Sequence, residues 1–290
     1  MLFKDFYTQF YNLPAPLWES AIKQFNEGLD LHVAGARICF SKDPNTMLFN
    51  EKFYQDPYRR DFLRDKFRLE HMSIFAHAPI VFSLDEIGVE TVKNLMFTGM
   101  PKIYVSDNKV YFNGRHLMET VHFHNKNFDD YYFPEFVRPL IIEKKKTAYS
   151  SIEKISCGRD DFYTLVLLGM ARYTATQTLR HIVFSFNQQS LRYTKIQIDS
   201  AVNYNLIVKN GKEHNLSSVR MEHLIKTLHT QLDAYEENKD LPNEMVRNIL
   251  PLCVKTKLMM SGHKDFFEDF KEKRIINGAQ TEIREIANFI

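Results

Sequence analysis

The chain has 290 residues, 44% of them hydrophobic, with 38 Lys and Arg against 36 Asp and Glu and a formal net charge of +2. That composition supports a buried core, and the balanced charge argues against a protein whose affinity comes from neutralising a long phosphate backbone, so no nucleic-acid partner is expected. Cys39, Cys157 and Cys253 lack C-x-x-C spacing, which argues against a disulfide framework or a zinc site and fits a reducing cytoplasm.

The amino terminus, MLFKDFYTQFYNLPAPLW, carries too many polar residues and prolines for a secretory leader, and no run approaches the roughly 18 apolar residues of a membrane span. Residues 1–30 read as an aromatic lead-in followed by a helix, with Leu17, Ala21, Ile22 and Phe25 at helical spacing. LHVAGARICFSKD is a short apolar run ending in polar residues, YRRDFLRDKFRLEHMSIFAH a charged helical stretch, and PIVFSL a strand. KIYVSDNKVYFNG alternates about Ser106-Asp107-Asn108 as a hairpin does, and HLMETVHF predicts one or two helical turns. NKNFDDYYFPEFVRP is irregular, and Glu143 to Lys146 is a charged step; we treat about 85–160 as an insertion into a single domain spanning 1–290. FYTLVLLGMARYTATQTL predicts a buried strand running into a helix. SSVRMEHLIKTLHTQLDAYEE is an amphipathic helix with a Ser start, Asn243 is expected to cap the next, Leu250-Pro251 interrupts it, and helices follow from about Lys264 and over AQTEIREIANF.

The densest chemistry lies in RHIVFSFNQQSLRY, Arg180 to Tyr193. Arginine suits bidentate phosphate recognition because its planar fork stays charged and matches two oxygens, so Arg192 beside Ser190 reads as a monophosphate cradle. The alternative is that Arg180 and Arg192 simply pair with surface carboxylates. His122-Phe123-His124 places two imidazoles on one face of a strand without a third metal ligand, and Lys144-Lys145-Lys146 is a solvated charge run.

The tract resembles the R-H-R-x-x-S-x-N-E-x-S-x-R-Y signature of flavin-dependent thymidylate synthases. Arg180, His181, Ser185, Asn187, Ser190, Arg192 and Tyr193 match in register, Ile182 replaces an Arg, and Gln188 replaces the Glu. AGARICF is similar to the family's A-A-R-x-S-[FY], with Cys39 for Ser, and HMSIFAH to H-x-[ST]-x-F-E-H, with Ala76 for Glu. EMVRNILP, KLMMSGHKDFFEDFKEKR and AQTEI match later segments in order, so the resemblance covers about 31–290 apart from the insertion. Leu250-Pro251-Leu252-Cys253 only superficially resembles the L-P-P-C-H loop of the unrelated classical thymidylate synthases, and Cys253 reads as a buried small hydrophobe.

The resemblance implies an α/β (α+β) fold with a mixed sheet, flanking helices and an active site assembled in a homotetramer. It implies reductive methylation of dUMP with FAD, methylenetetrahydrofolate and NADPH. It assigns nucleotide binding to Gln177, Arg180, Gln188, Ser190, Arg192, Arg247 and Arg274, of which Arg274 and Ser190 are the catalytic candidates. Cofactor binding falls to His71, Ser73, Arg180, His181, Gln188 and Asp269. Ile182, Gln188, His263 (for Asn), Asp265 (for Arg) and Gly278 (for His) depart from the pattern, mostly on the flavin side. Two alternatives stay open: a dUMP or dCMP hydroxymethylase, and a nucleotide-binding homologue without flavin.

Overall fold

The computed structural model describes residues 3–43, 51–98, 102–137, 141–147, 149–156, 158–198, 201–204, 207–208, 212, 214–276 and 278–290; Cys157 lies outside the described residues. The aromatic lead-in is itself a helix, α1 (Phe3–Tyr11), and α2 (Ala15–Glu27) follows with Pro16 in its first turn, where a missing N–H leaves no bond unmade. The run LHVAGARICF is a helix, α3 (Leu29–Phe40), buried continuously from Leu31 to Ala36. The charged stretch gives α4 (Tyr58–Arg68) and a 3-10 turn at Met72–His77. Next come β1 (Pro79–Ser83), α5 (Leu84–Ile87) and α6 (Val89–Phe97). The hairpin is β2 (Tyr104–Ser106) and β3 (Lys109–Asn113), with Asp107 and Asn108 at φ 48° and 59°, the left-handed pair that a two-residue turn between twisted strands requires. Asn113 caps α7 (Gly114–Phe123), longer than the one or two turns expected. His122 and His124 therefore stand at a helix end, not on a strand face.

Two strands, β4 (Ile141–Lys146) and β5 (Ser151–Ser156), precede the long β6 (Phe162–Ala171), so the charged step at Glu143 to Lys146 is a strand. β6 turns directly into α8 (Arg172–Thr178), and β7 (Ser185–Gln188) carries the middle of the signature. Ser217 caps α9 (Ser218–Glu237) by accepting from the Arg220 N–H. In α10 (Asn243–Val246) the cap position belongs to Pro242; the Asn243 side chain instead donates to the Arg192 carbonyl at 2.9 Å. The chain closes with β8 (Lys255–His263), α11 (Lys264–Arg274) and α12 (Thr281–Phe289).

Among the described residues the strands form two sheets, β1-β3-β2 and β4-β5-β6-β8-β7, and every pairing is antiparallel. The fold is α+β with antiparallel sheets, which corrects the expected mixed sheet: β6 and β7, and likewise β1 and β2, run parallel to each other, but β8 and β3 lie between them, so no parallel strands are neighbours among the described residues. The larger sheet is buried on both faces. Leu165, Leu167, Leu258 and Met260 point towards α8, α11 and α12, while Val166, Leu168 and Met259 meet Leu31, Ala34 and Ile38 of α3. Period-two alternation across two cores explains why β6 reads as an unbroken apolar run. An aromatic core containing Phe6, Phe10, Phe25, Phe75 and Phe112 joins α1, α2, β3 and the 3-10 turn. Residues 85–160 divide between the two sheets, β2, β3 and α7 joining the aromatic core and β4 and β5 extending the larger sheet.

Candidate functional site

The junction of β6 and α8 sets the first half of the site. Ala171 cannot cap a helix with its methyl group, so the first donors of α8 find partners elsewhere. The Ala171 N–H donates to the Glu282 carboxylate at 3.1 Å, Arg172 N–H to the Val254 carbonyl at 2.9 Å, and Tyr173 N–H to the Leu252 carbonyl at 3.0 Å. So anchored, α8 carries Arg172 at its start, Gln177 near its end and Arg180 just beyond. Arg274, the last residue of α11, donates from Nε to His181 Nε2 at 2.9 Å and from Nη2 to the Gln177 carbonyl at 3.2 Å. Burial, with the Arg274 charge adding to it, pushes the His181 pKa down to about 4. The neutral ring can therefore accept this bond and hold the guanidinium in place. Burial and then the Arg180 charge lower the Arg274 pKa, without threatening its cationic state. Asp269 pairs with Lys273 at 2.6 Å and lies near enough to His181 for its charge to oppose in part the lowering of the His181 pKa.

The second half follows β7. Gln188 ends the strand with a buried Nε2 that has no partner. Gln189 donates from Nε2 to the Ser41 and Lys42 carbonyls at 3.1 and 2.9 Å, and the Ser190 N–H donates to the Cys39 carbonyl at 3.0 Å. These bonds lash the signature to the end of α3. Ser190 Oγ accepts from the Arg192 N–H at 3.2 Å, which folds the cradle into a tight turn with the Arg192 side chain exposed. Asn243 on the Arg192 carbonyl draws α10 against the same turn, and Arg247, the residue after α10, comes close enough to Arg172 to lower its pKa after burial has done so first. Arg172 Nη1 reaches the Gln189 carbonyl and Thr256 Oγ1, both at 3.4 Å.

Among the described residues, none of Arg172, Arg180, Arg192, Arg247 and Arg274 has a carboxylate partner. The arginines of the signature thus do not serve as surface ion pairs, and like charges gathered without anions favour an anionic ligand. Arg172 is absent from the sequence-based set. The signal for it is its position, where the apolar run of β6 ends and five residues before Gln177.

His71 packs against Phe40 and Tyr193, with ring centroids 5.3 and 5.8 Å away, and so touches the second half of the site. His71 and Ser73 also line a cleft of about 540 Å³ with Tyr7, Glu70, Arg115 and His122. The departures from the signature separate. Ile182 is 78% exposed, and a side chain at Gly278 would enter open space. His263, by contrast, is buried, with Tyr104 and Tyr111 centroids 5.0 and 4.9 Å from its ring, and Asp265 accepts from the Tyr104 hydroxyl at 2.8 Å. The β2–β3 hairpin therefore covers the start of α11. Cys253 is half-buried, less than expected, and burial raises its thiol pKa. Among the described residues no His, Cys, Asp and Glu side chains gather in threes as a metal site, and no helix is long and apolar enough to cross a membrane.

Residues 161–290 match the family described as thymidylate synthase complementing protein. The chain is 29% identical over 127 residues to a flavin-dependent thymidylate synthase of Pyrococcus furiosus, covering 43% of this chain and 51% of the relative. A Thermococcus onnurineus protein of the same name is 29% identical over 126 residues, covering 43% and 50%. The chain thus spans about half the length of these two relatives. A third, from Aquifex aeolicus, is 26% identical over 297 residues, covering 88% of this chain and 90% of the relative.

Proposed function

Because the chain belongs to the flavin-dependent thymidylate synthase family, we propose that its unpaired arginines hold the phosphate of dUMP and that it methylates C5 of the uracil. The observation that carries this is that Arg172, Arg180, Arg192 and Arg274 have no carboxylate partner among the described residues, with Arg274 standing close to Arg180. Ser190 and Arg192 form the phosphate cradle with Gln177 and Gln188 around the nucleotide, and Arg247 reaches the phosphate from a neighbouring subunit. Arg274, fixed through Nε and Nη2, keeps Nη1 for charge that develops on the pyrimidine as C5 becomes nucleophilic. The one-carbon unit comes from methylenetetrahydrofolate and the reducing equivalents from NADPH.

The Gln188 edge suits a flavin: Nε2 is a buried donor without a partner, and Arg180 is an unpaired cation beside neutral His181. His71, Ser73, Arg180, His181, Gln188 and Asp269 are the residues proposed to hold FAD, which when bound supplies the electrons that turn the transferred methylene into a methyl group. The protein binds, orients and excludes water. We further propose a single domain with an extension at 1–30 and an insertion at about 85–160, working as a cytoplasmic homotetramer in which exposed Arg247 completes a neighbour's site. Calorimetric titration with dUMP tests the core proposal. Arg192→Ala is expected to weaken binding ten- to a hundredfold, about 1.5–3 kcal/mol; unchanged affinity refutes the cradle. Mass analysis of the product separates methyl from hydroxymethyl transfer. A flavin-free nucleotide-binding role is the second reading, favoured by the hairpin over His263 and Asp265; purified protein that dUMP stabilises but saturating FAD does not would establish it.

A further inference from the structure

Glu282, the Glu of the AQTEI segment, is a buried carboxylate attached to the framework of the site, and the resemblance gives it no role. It is the second residue of α12 and 1% exposed, and its carboxylate accepts from Thr174 Oγ1 at 2.6 Å and from the Ala171 N–H at 3.1 Å. No cation stands against it among the described residues. A carboxyl group in such surroundings is costly to bury, and the cost is offset only while both donors point at it. Its surroundings are therefore organised around α8: one bond closes the strand-to-helix corner at Ala171, and the other takes hold of the first turn at Thr174.

That turn fixes more than itself. The adjacent N–H groups of Arg172 and Tyr173 reach the Val254 and Leu252 carbonyls, so the loop after Arg247 and the helix carrying Gln177 share one anchorage. Gln177 in turn accepts from Arg274 through its carbonyl. A rotation of α8 about its seven-residue length would misplace Arg172, Gln177 and Arg180 together, and a displacement of about 1 Å is enough to weaken bidentate contacts severely.

We propose that Glu282 is a positioning residue for the nucleotide site: it caps α8 from outside the helix and so sets Arg172, Gln177 and Arg180 at the distance the phosphate requires. The proposal rests on the assignment of dUMP to this pocket. It touches neither ligand nor reacting atoms, and its effect passes entirely through α8.

The test is dUMP affinity by calorimetry for wild type, Glu282→Ala, Glu282→Gln, Thr174→Val and Arg192→Ala, with folding followed by circular dichroism and each titration run well below the variant's melting temperature. Glu282→Ala is expected to lose tenfold or more in affinity, and Glu282→Gln, which keeps an acceptor oxygen for Thr174 and Ala171, to return to within about threefold of wild type. A folded Glu282→Ala that binds as wild type overturns the proposal, and so does a Gln variant as weak as Ala. If Glu282→Ala does not fold, Thr174→Val decides: a loss of threefold or more supports positioning, and unchanged affinity overturns it. Arg192→Ala separates the two levels. If it binds dUMP as wild type does, the pocket assignment itself fails; if it is weakened while the Glu282 and Thr174 variants are not, only the positioning role fails.

Discussion

Replacing Gly35 with alanine sets two known effects against each other. Gly35 lies inside α3, where alanine ordinarily stabilises a helix by about 1 kcal/mol. Here a Cβ would come within 2.8 Å of Asn187 Nδ2, 2.8 Å of His77 Cδ2 and 3.2 Å of the Ile74 carbonyl oxygen. None of these neighbours yields easily. Asn187 is a buried residue of β7, the His77 ring is hydrogen-bonded to Ser261 Oγ at 2.7 Å, and the third contact is backbone. Overpacking of this kind costs about 1–3 kcal/mol, so the net expectation is a loss of about 1 kcal/mol, with α3 pushed off β7 just before Gln188. Gly278 is the control: nothing lies within 4 Å of its added Cβ, and alanine there should stabilise by about 0.4–1 kcal/mol through the unfolded chain. Urea unfolding midpoints should therefore move in opposite directions, and dUMP affinity should fall for Gly35→Ala only. A Gly35→Ala protein stabilised by the full helix-propensity gain would refute the close seating of α3 on the signature strand.

Burial raises the Glu282 pKa from 4.5 to about 7, against the opposing bonds from Thr174 and Ala171. The folded state then holds a proton that the unfolded chain has lost, so this contribution is present below pH 4.5 and is lost as pH rises through 7, about 3 kcal/mol in all. His32 and His77, driven down to about 3 by burial, act with the opposite sign as pH falls below 6.5. The difference between wild type and Glu282→Gln cancels their effect: urea midpoints should shift in favour of Gln by that amount between pH 4.5 and 8, and parallel curves would contradict the assignment. Ile182→Arg restores a cation at a position 78% exposed, so it should leave stability unchanged and tighten FAD binding about tenfold, read by quenching of flavin fluorescence; no change would mean that FAD does not pass this face.

Some of this fold is legible in the chain and some is not, for identifiable reasons. α9 announces itself through the Ser217 cap and its period, and the hairpin through Asp107 and Asn108. α3 hides because Leu31 to Ala36 are buried on every side, which leaves no polar face to mark a period of 3.6 residues. β4 hides for the opposite reason: Glu143 to Lys146 are exposed throughout, so no apolar alternation survives. Within the site, Ser190 and Arg192 are readable because their spacing is local. The roles of Glu282 and Arg172 are not, although the AQTEI match and the end of the β6 run mark their positions, since each acquires its place through contacts with distant segments, Glu282 with a helix more than a hundred residues away. The fate of His263 and Asp265 was equally hidden, because it depends on a hairpin far upstream.

The three lysines of β4 acquire a second meaning from where that strand lies. β4 ends the larger sheet, and a terminal strand offers unpaired backbone donors and acceptors to any other extended chain. Lys144 is anchored to Glu153 at 2.9 Å and Lys145 sits over the Phe289 ring at 4.7 Å. A foreign strand docking there would have to strip water from a row of ammonium groups. The solvated charge run thus weighs against strand addition at this edge of the sheet.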